Sequence, residues 1–212
     1  MREVMKIIYV YDALCGWCYG FSPVLHQFQE KYKDDVTIEV ISGGMITGNK
    51  IGPIGEVASY IRWAYKDVEN ATGVKFGVEF LNKTLSKGEA IFTSLPPAIA
   101  LCIIKETNPL SSVAFAAELQ KAIYYDGMEP ENLAAYGAIG AKYGIDQELF
   151  IAKMKDPFYR QLAEEDFRKS SSLEVTGFPS VFIEKNGRYF KIGNGYIPFS
   201  SLEINYLTIK TK

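Results

Sequence analysis

From Val4 to Tyr11 the chain alternates loosely among β-branched and aromatic residues, which predicts a buried strand. Beyond a short turn, Phe21, Leu25, Phe28 and Tyr32 recur at helical spacing and form one apolar face between Cys18 and about Lys33. Pro23 falls within the first turns of that helix, so a kink or an offset start is expected there. Val36 to Ile41 reads as a second strand. Strand, helix and strand in close succession predict a βαβ unit with its two strands parallel.

From Ser42 the pattern changes. Ser42-Gly43-Gly44-Met45-Ile46-Thr47-Gly48 is a glycine-rich loop, and without a closing Gly-Lys-Ser/Thr it is not a phosphate cradle. From about Pro53 to Ser172 only helical spacing is found. Ile54, Val57, Ile61, Ala64 and Val68 share a face that ends at Thr72-Gly73. Ser94 before Pro96 and Pro97 predicts a helix start leading into Ile99, Cys102 and Ile103. Further helices are expected over Val113–Tyr125, from Leu133 to Gly144, from an Asp146 cap through Met154, and from Pro157 to about Ser170. Strands then return: Pro179 to Glu184, a two-residue Asn186-Gly187 turn, and Arg188 to Ile192, broken by Gly193-Asn194-Gly195. Pro198 to about Leu207 closes the chain as a helix. The expected class is α/β. A βαβ unit and a C-terminal β-hairpin (residues 1–50 and 173–212) enclose a large all-helical insertion over 51–172.

Composition narrows the function. Of 212 residues, 48% are apolar and 23% charged, which sets aside a disordered chain. With a net charge of −2 and no basic block, no nucleic-acid partner is expected. The longest aliphatic run, Ala98 to Ile104, falls far short of the roughly 20 residues that cross a bilayer, so no membrane partner is expected either. The apolar stretch Ile7 to Tyr11 is too short for a signal-peptide core and no small-residue cleavage site follows, so a cytoplasmic location is expected. Three cysteines cannot build a disulfide scaffold. In a reducing compartment, a C-x-x-C pair is more often catalytic or metal-binding than structural.

The pair is Cys15-Gly16-Trp17-Cys18, placed between a strand and a helix. Disulfide exchange needs one thiolate to attack and a nearby thiol to resolve the mixed disulfide. Cys15 falls at the helix start, where free N–H groups and the helix dipole favour negative charge; Cys18 follows one turn on and is expected to be the more buried. Half of a zinc site is the competing reading, but tetrahedral zinc needs about four ligands. Of the remaining candidates, Cys102 is distant, and His26 lies about 16 Å up the helix axis from Cys15. No metal and no cofactor are expected.

Tyr11-Asp12-x-x-Cys15-Gly16-Trp17-Cys18-Tyr19-Gly20, together with Thr176-Gly177-Phe178-Pro179 before the last hairpin, resembles the DsbA-like thiol–disulfide oxidoreductases. Within that superfamily the chain is most similar to the cytoplasmic branch of protein-disulfide isomerase-like members. The resemblance spans essentially the whole chain. It implies a thioredoxin-like fold with a helical insertion, and an enzyme exchanging disulfides with protein or small-molecule thiols. It further implies that Cys15 is the nucleophile and Cys18 the resolving thiol. Pro179 becomes a cis-proline facing the dithiol, with Phe178 offering its backbone to an incoming peptide, and Gly16, Trp17, Phe178 and Pro179 make the substrate site. In strongly oxidising relatives a histidine stands between the cysteines, where this chain has Gly16-Trp17, so the redox direction stays open. Two alternatives remain beside this reading. One is a glutathione-dependent isomerase or transferase on the same scaffold, for which a second cysteine is superfluous; the other is a non-catalytic peptide-binding module.

Asp12 suits a loop or cap role better than that of proton acceptor for Cys18. Cys102, in an apolar run, reads as a small buried hydrophobe. His26 reads as a surface or core-edge residue. Trp17, Tyr19, Met45, Phe178 and Tyr196 suit an apolar substrate groove and core packing equally.

Overall fold

The structure, a computed structural model, describes residues 4–211. Strand β1 (Met5–Tyr11) leads into α1 (Gly16–Lys31) and β2 (Val36–Ser42), and β1 pairs parallel with β2, Tyr9 facing Val40. The chain returns much later as β5 (Ser180–Lys185) and β6 (Arg188–Asn194), completing a mixed sheet of order β2-β1-β5-β6. The central β1 alternates as a strand must. Ile7, Tyr9 and Tyr11 enter the main core, while Ile8 and Val10 join Ile41 and Phe182 in a smaller cluster. Phe21, Leu25 and Phe28 of α1 are fully enclosed in that main core, each contributing roughly 1.5–3 kcal/mol. Helix α1 begins at Gly16 and runs through Pro23, so its start is not offset by the proline.

Between β2 and β5 the chain forms β3 (Gly52–Pro53), α2 (Ala58–Thr72), a wide turn at Phe80–Thr84 running into the one-turn α3 (Leu85–Lys87), and β4 (Ile91–Phe92). Helices α4 (Leu95–Thr107), α5 (Ser112–Tyr124), α6 (Leu133–Ala141), α7 (Gln147–Met154) and α8 (Pro157–Ser172) follow. The β3–β4 ribbon corrects the expectation of helix alone. Gly52 faces Phe92 and Pro53 faces Ile91, and strands this short leave no alternation to read. Asp146 caps α7, accepting the Leu149 N–H at 3.0 Å. Ser94 precedes α4 as expected but makes no cap; its Oγ accepts the Ile46 N–H at 2.9 Å, tying the glycine loop to the insertion.

Asn186 and Gly187 take left-handed φ of 53° and 70°, as the two-residue hairpin turn demands. The glycines after Ile192 do not end β6 where the pattern suggested. The strand continues to Asn194 through a bulge, because Val181 faces Gly193 and Phe182 faces Lys191. Helix α9 (Phe199–Lys210) closes the chain, running past the expected Leu207. Among the described residues no helix is long and apolar enough to cross a membrane.

Candidate active site

The chain leaves β1 at Tyr11 and reaches α1 through a turn organised by Asp12. Its buried carboxylate accepts the Leu14 N–H at 2.9 Å through Oδ1 and the Met45 N–H at 2.8 Å through Oδ2. Burial pushes this carboxyl above the ordinary range, and the backbone N–H groups offset only part of that rise. The Asp12 carbonyl accepts the Cys15 N–H at 3.1 Å and Gln120 Nε2 at 3.3 Å. Asp12 therefore fills the loop role expected of it, and it also fastens the glycine loop to the cysteine turn.

Cys15 is the N-cap of α1, in extended backbone conformation, and its sulfur accepts the Cys18 N–H at 3.4 Å. A sulfur here occupies the place that a serine or threonine hydroxyl takes in an ordinary cap. Cys18 is one turn further and wholly enclosed at 0% exposure, against 7% for Cys15, and is the more buried of the two as expected. Burial, then the neighbouring Cys15, pushes the Cys18 thiol well above its ordinary value.

The second half of the motif arrives from 163 positions away. The Cys15 thiol donates to the Phe178 carbonyl with S···O 3.7 Å, and the Phe178–Pro179 bond that leads into β5 is cis. Beside the dithiol opens an apolar groove of about 290 Å³. Gly16, Trp17 and Met45 line it with Tyr60, Ile61 and Tyr65 of α2, and no lining residue is charged. Trp17 also lies 6.2 Å from the Tyr196 ring. Of the five residues weighed for a groove, Trp17 and Met45 line it, whereas Phe178, Tyr196 and Tyr19 do not. Tyr19 is instead part of the packing. Its ring packs on Phe76 and Tyr124, and its hydroxyl donates to the Lys75 carbonyl at 2.9 Å.

Sequence reasoning missed the α2 wall and Gln120. The spacing of Ile61, Ala64 and Val68 looked like a core stripe, and only the exposed Tyr60 and Trp63 interleaved with it hint at an open side. Gln120 in α5 accepts the Ser22 hydroxyl at 2.7 Å while donating to Asp12, bridging insertion, α1 and the cysteine turn. A single polar residue in a helical stripe carries no such signal. Cys102 is buried in α4 and lines a separate recess with Lys105, Leu162 and Asp166; burial pushes its thiol up to about 12. His26 is exposed on α1. Among the described residues, no three His, Cys, Asp or Glu converge as a metal site.

The whole chain aligns with solved structures. A candidate protein disulfide isomerase from Nitrosomonas europaea is 23% identical with a TM-score of 0.87, covering 99% of this chain and 98% of that one. The cytosolic disulfide reductase DsbM from Pseudomonas aeruginosa is 25% identical with a TM-score of 0.81, covering 98% and 100%. A structure of DsbM with glutathione is similar at 25% identity and a TM-score of 0.77, covering 97% and 98%. No curated protein matches the chain. The DSBA-like thioredoxin domain model matches residues 6–204. With a dithiol at the start of α1, a helical insertion and a mixed sheet in that arrangement, the chain belongs to the DSBA-like thioredoxin domain family.

Proposed function

We propose that this protein is a thiol–disulfide oxidoreductase of protein-disulfide isomerase type, working through Cys15 and Cys18 in the cytoplasm. In this reading the Cys15 thiolate attacks a substrate disulfide, forming a mixed disulfide and expelling one substrate sulfur, which takes up a proton. Cys18 then loses its proton and attacks the Cys15 sulfur. The second substrate thiol leaves, and a Cys15–Cys18 disulfide remains. Two electrons pass from dithiol to substrate, and the reversed steps oxidise a substrate dithiol. Attack without completion of the second step, followed by return of the substrate thiol, shuffles disulfides.

The observation that carries this reading is the setting of the Cys15 sulfur. It caps α1, receives an N–H from the first turn, and stands against the Phe178 main chain. The burial of Cys18 gives the roles their order: the thiol that substrate reaches attacks, and the enclosed one resolves. Gly16, Trp17, Phe178 and Pro179 make the substrate site, with an extended segment pairing at Phe178. The glutathione-bound DsbM structure supports small thiols beside protein substrates. The same reading assigns 1–50 and 173–212 to the thioredoxin-like unit and 51–172 to the insertion.

Trapping tests it. Cys18→Ser should accumulate mixed disulfides through Cys15 when mixed with an oxidised peptide, and Cys15→Ser should form none. Exchange that persists at the wild-type rate in Cys15→Ser would overturn the proposal.

A further inference from the structure

The Ser42–Ile46 turn takes no part in the exchange steps, yet it is built around the residue that meets Cys15. Gly43 lies flat against the Phe178 ring: a β-carbon there would stand 2.0 Å from Cε1 and 2.3 Å from Cζ. Carbons in contact settle at about 3.5–4.0 Å, so a methyl at Gly43 and this ring cannot occupy their present places together. Gly43 is not among the positive-φ glycines, unlike Gly44 at +68°, so its backbone conformation admits alanine. The Phe178 ring is the obstacle that excludes a side chain.

The turn is not free to retreat. The Gly43 N–H donates to the Tyr11 carbonyl at 2.6 Å. On either side, the Ser42 N–H goes to Asp166 Oδ2 at 3.1 Å and the Met45 N–H to Asp12 Oδ2 at 2.8 Å. Ile46 exchanges hydrogen bonds with Ser94 in both directions, each 2.9 Å. Four fixed points hold the turn, so a side chain at Gly43 would displace the ring, which belongs to the residue whose carbonyl sits 3.7 Å from the Cys15 sulfur.

We propose that Gly43 is a positioning residue for disulfide exchange: its missing side chain is the slot that seats the Phe178 ring. That seat sets where the Phe178 main chain stands against Cys15 and an incoming disulfide. The inference rests on the function proposed above, in which Cys15 attacks and Phe178 presents its backbone.

A double-mutant cycle on the exchange rate tests it, with a fluorescent disulfide-linked peptide as substrate and circular dichroism to establish folding. A misplacement of about 1 Å costs on the order of 100-fold in a positioned reaction, so Gly43→Ala should lower kcat/KM roughly 10- to 100-fold while remaining folded. Phe178→Ala also slows exchange, but adding Gly43→Ala to it should cost nothing further, because no ring is left to displace. A merely structural glycine would give the same loss in both backgrounds. Wild-type exchange in folded Gly43→Ala, or an equal loss in both backgrounds, overturns the inference. Should Gly43→Ala alone not fold, the double variant must fold and match Phe178→Ala; a slower or unfolded double variant overturns it as well. Exchange surviving Cys15→Ser counts against the proposed function. An inert Cys15→Ser combined with a silent Gly43→Ala counts against this inference alone.

Discussion

Asp12 and Asp166 are both carboxylates removed from water, and both hold the same glycine-rich turn, one at Met45 and the other at Ser42. Each also has a buried thiol in its electrostatic neighbourhood: Cys18 near Asp12, and Cys102 near Asp166. Their compensation differs. Asp166 accepts Lys105 Nζ at 2.7 and 2.9 Å, so its charge is answered by a cation on the spot. Asp12 is held by the N–H groups of Leu14 and Met45, which are dipoles and leave its field in place. Burial is the main reason both thiols are pushed up. The Cys15 sulfur then adds to the rise at Cys18, ahead of the smaller upward push of the Asp12 charge, and at Cys102 Asp166 raises the thiol more than Lys105 lowers it. The same two residue types thus pair a lone thiol with a cation-answered carboxylate in α4, and a thiol beside a second sulfur with a dipole-held carboxylate at the start of α1. The difference lies in the cation and the second sulfur.

Removing the cation should have the largest effect. Lys105→Met leaves Asp166 charged, enclosed and answered only by one N–H. Breaking one partner of a buried pair costs about 3–5 kcal/mol, and the partial exposure of Lys105 (24% of its side chain) puts this variant near 3. The pH dependence has a definite sign. Burial already raises the Asp166 carboxyl above its ordinary value, and Lys105 is what restrains it. Without Lys105 the folded value rises further, so stability is retained below the unfolded value of about 4 and lost as pH rises through the folded one. Urea midpoints of the two proteins should therefore diverge at neutral pH and draw together toward pH ~4. A constant gap across that range would show that Asp166 is not the group left unanswered.

Asp12→Asn should rank second. Both carboxylate oxygens accept a backbone N–H, and an amide replaces one of them with a donor that faces the Leu14 or Met45 N–H. One buried donor left unmet costs about 1–3 kcal/mol, read from the urea midpoint. The variant also removes the negative charge near Cys18, so the Cys18 thiol should titrate lower than in the wild type, though burial still holds it up. Residue-specific alkylation against pH, followed by peptide mapping, resolves Cys18 from the other thiols. An unmoved Cys18 profile would break the contrast between the two carboxylates, since the Asp12 field would then not be felt at the sulfur.

How much of this was legible in the chain follows from the range of the forces involved. β1, α1 and the β5–β6 hairpin announce themselves because period and turn chemistry are local: Phe21, Leu25 and Phe28 lie on one face, and Asn186-Gly187 permits left-handed backbone. The Cys15–Phe178 meeting was expected only because two motifs resemble one family, for nothing in either segment points to the other. The Lys105–Asp166 pair spans 61 positions and the Gln120–Asp12 bond 108, and charged or polar residues in helical stripes look alike whether they face water or a partner. The α2 wall was hidden differently. Its apolar face reads as core, and only the fold shows that part of that face borders a groove. The seat of Phe178 on Gly43 was hidden most deeply, because a glycine in a loop suggests a turn and not a cavity shaped for a ring.

The smallest effect is expected at Cys102, and it sharpens the contrast by its size. Cys102 is 2% exposed in α4, its thiol is pushed up to about 12 by burial, and no second cysteine stands within its own helix. At neutral pH such a thiol stays protonated, and the thiol form is a poor nucleophile, so it contributes packing only. Cys102→Ala removes one buried sulfur, worth a methylene's burial plus a small cavity term, about 1 kcal/mol in all. Exchange with a peptide disulfide should run at the wild-type rate. In the folded wild type, brief alkylation should label Cys15 and leave Cys102 untouched, with Cys102 becoming reactive only as urea opens the chain. Were Cys102→Ala to slow exchange as much as Cys18→Ser does, Cys102 would belong to the electron path. The contrast between a lone buried thiol in α4 and a paired one at the start of α1 would then fail.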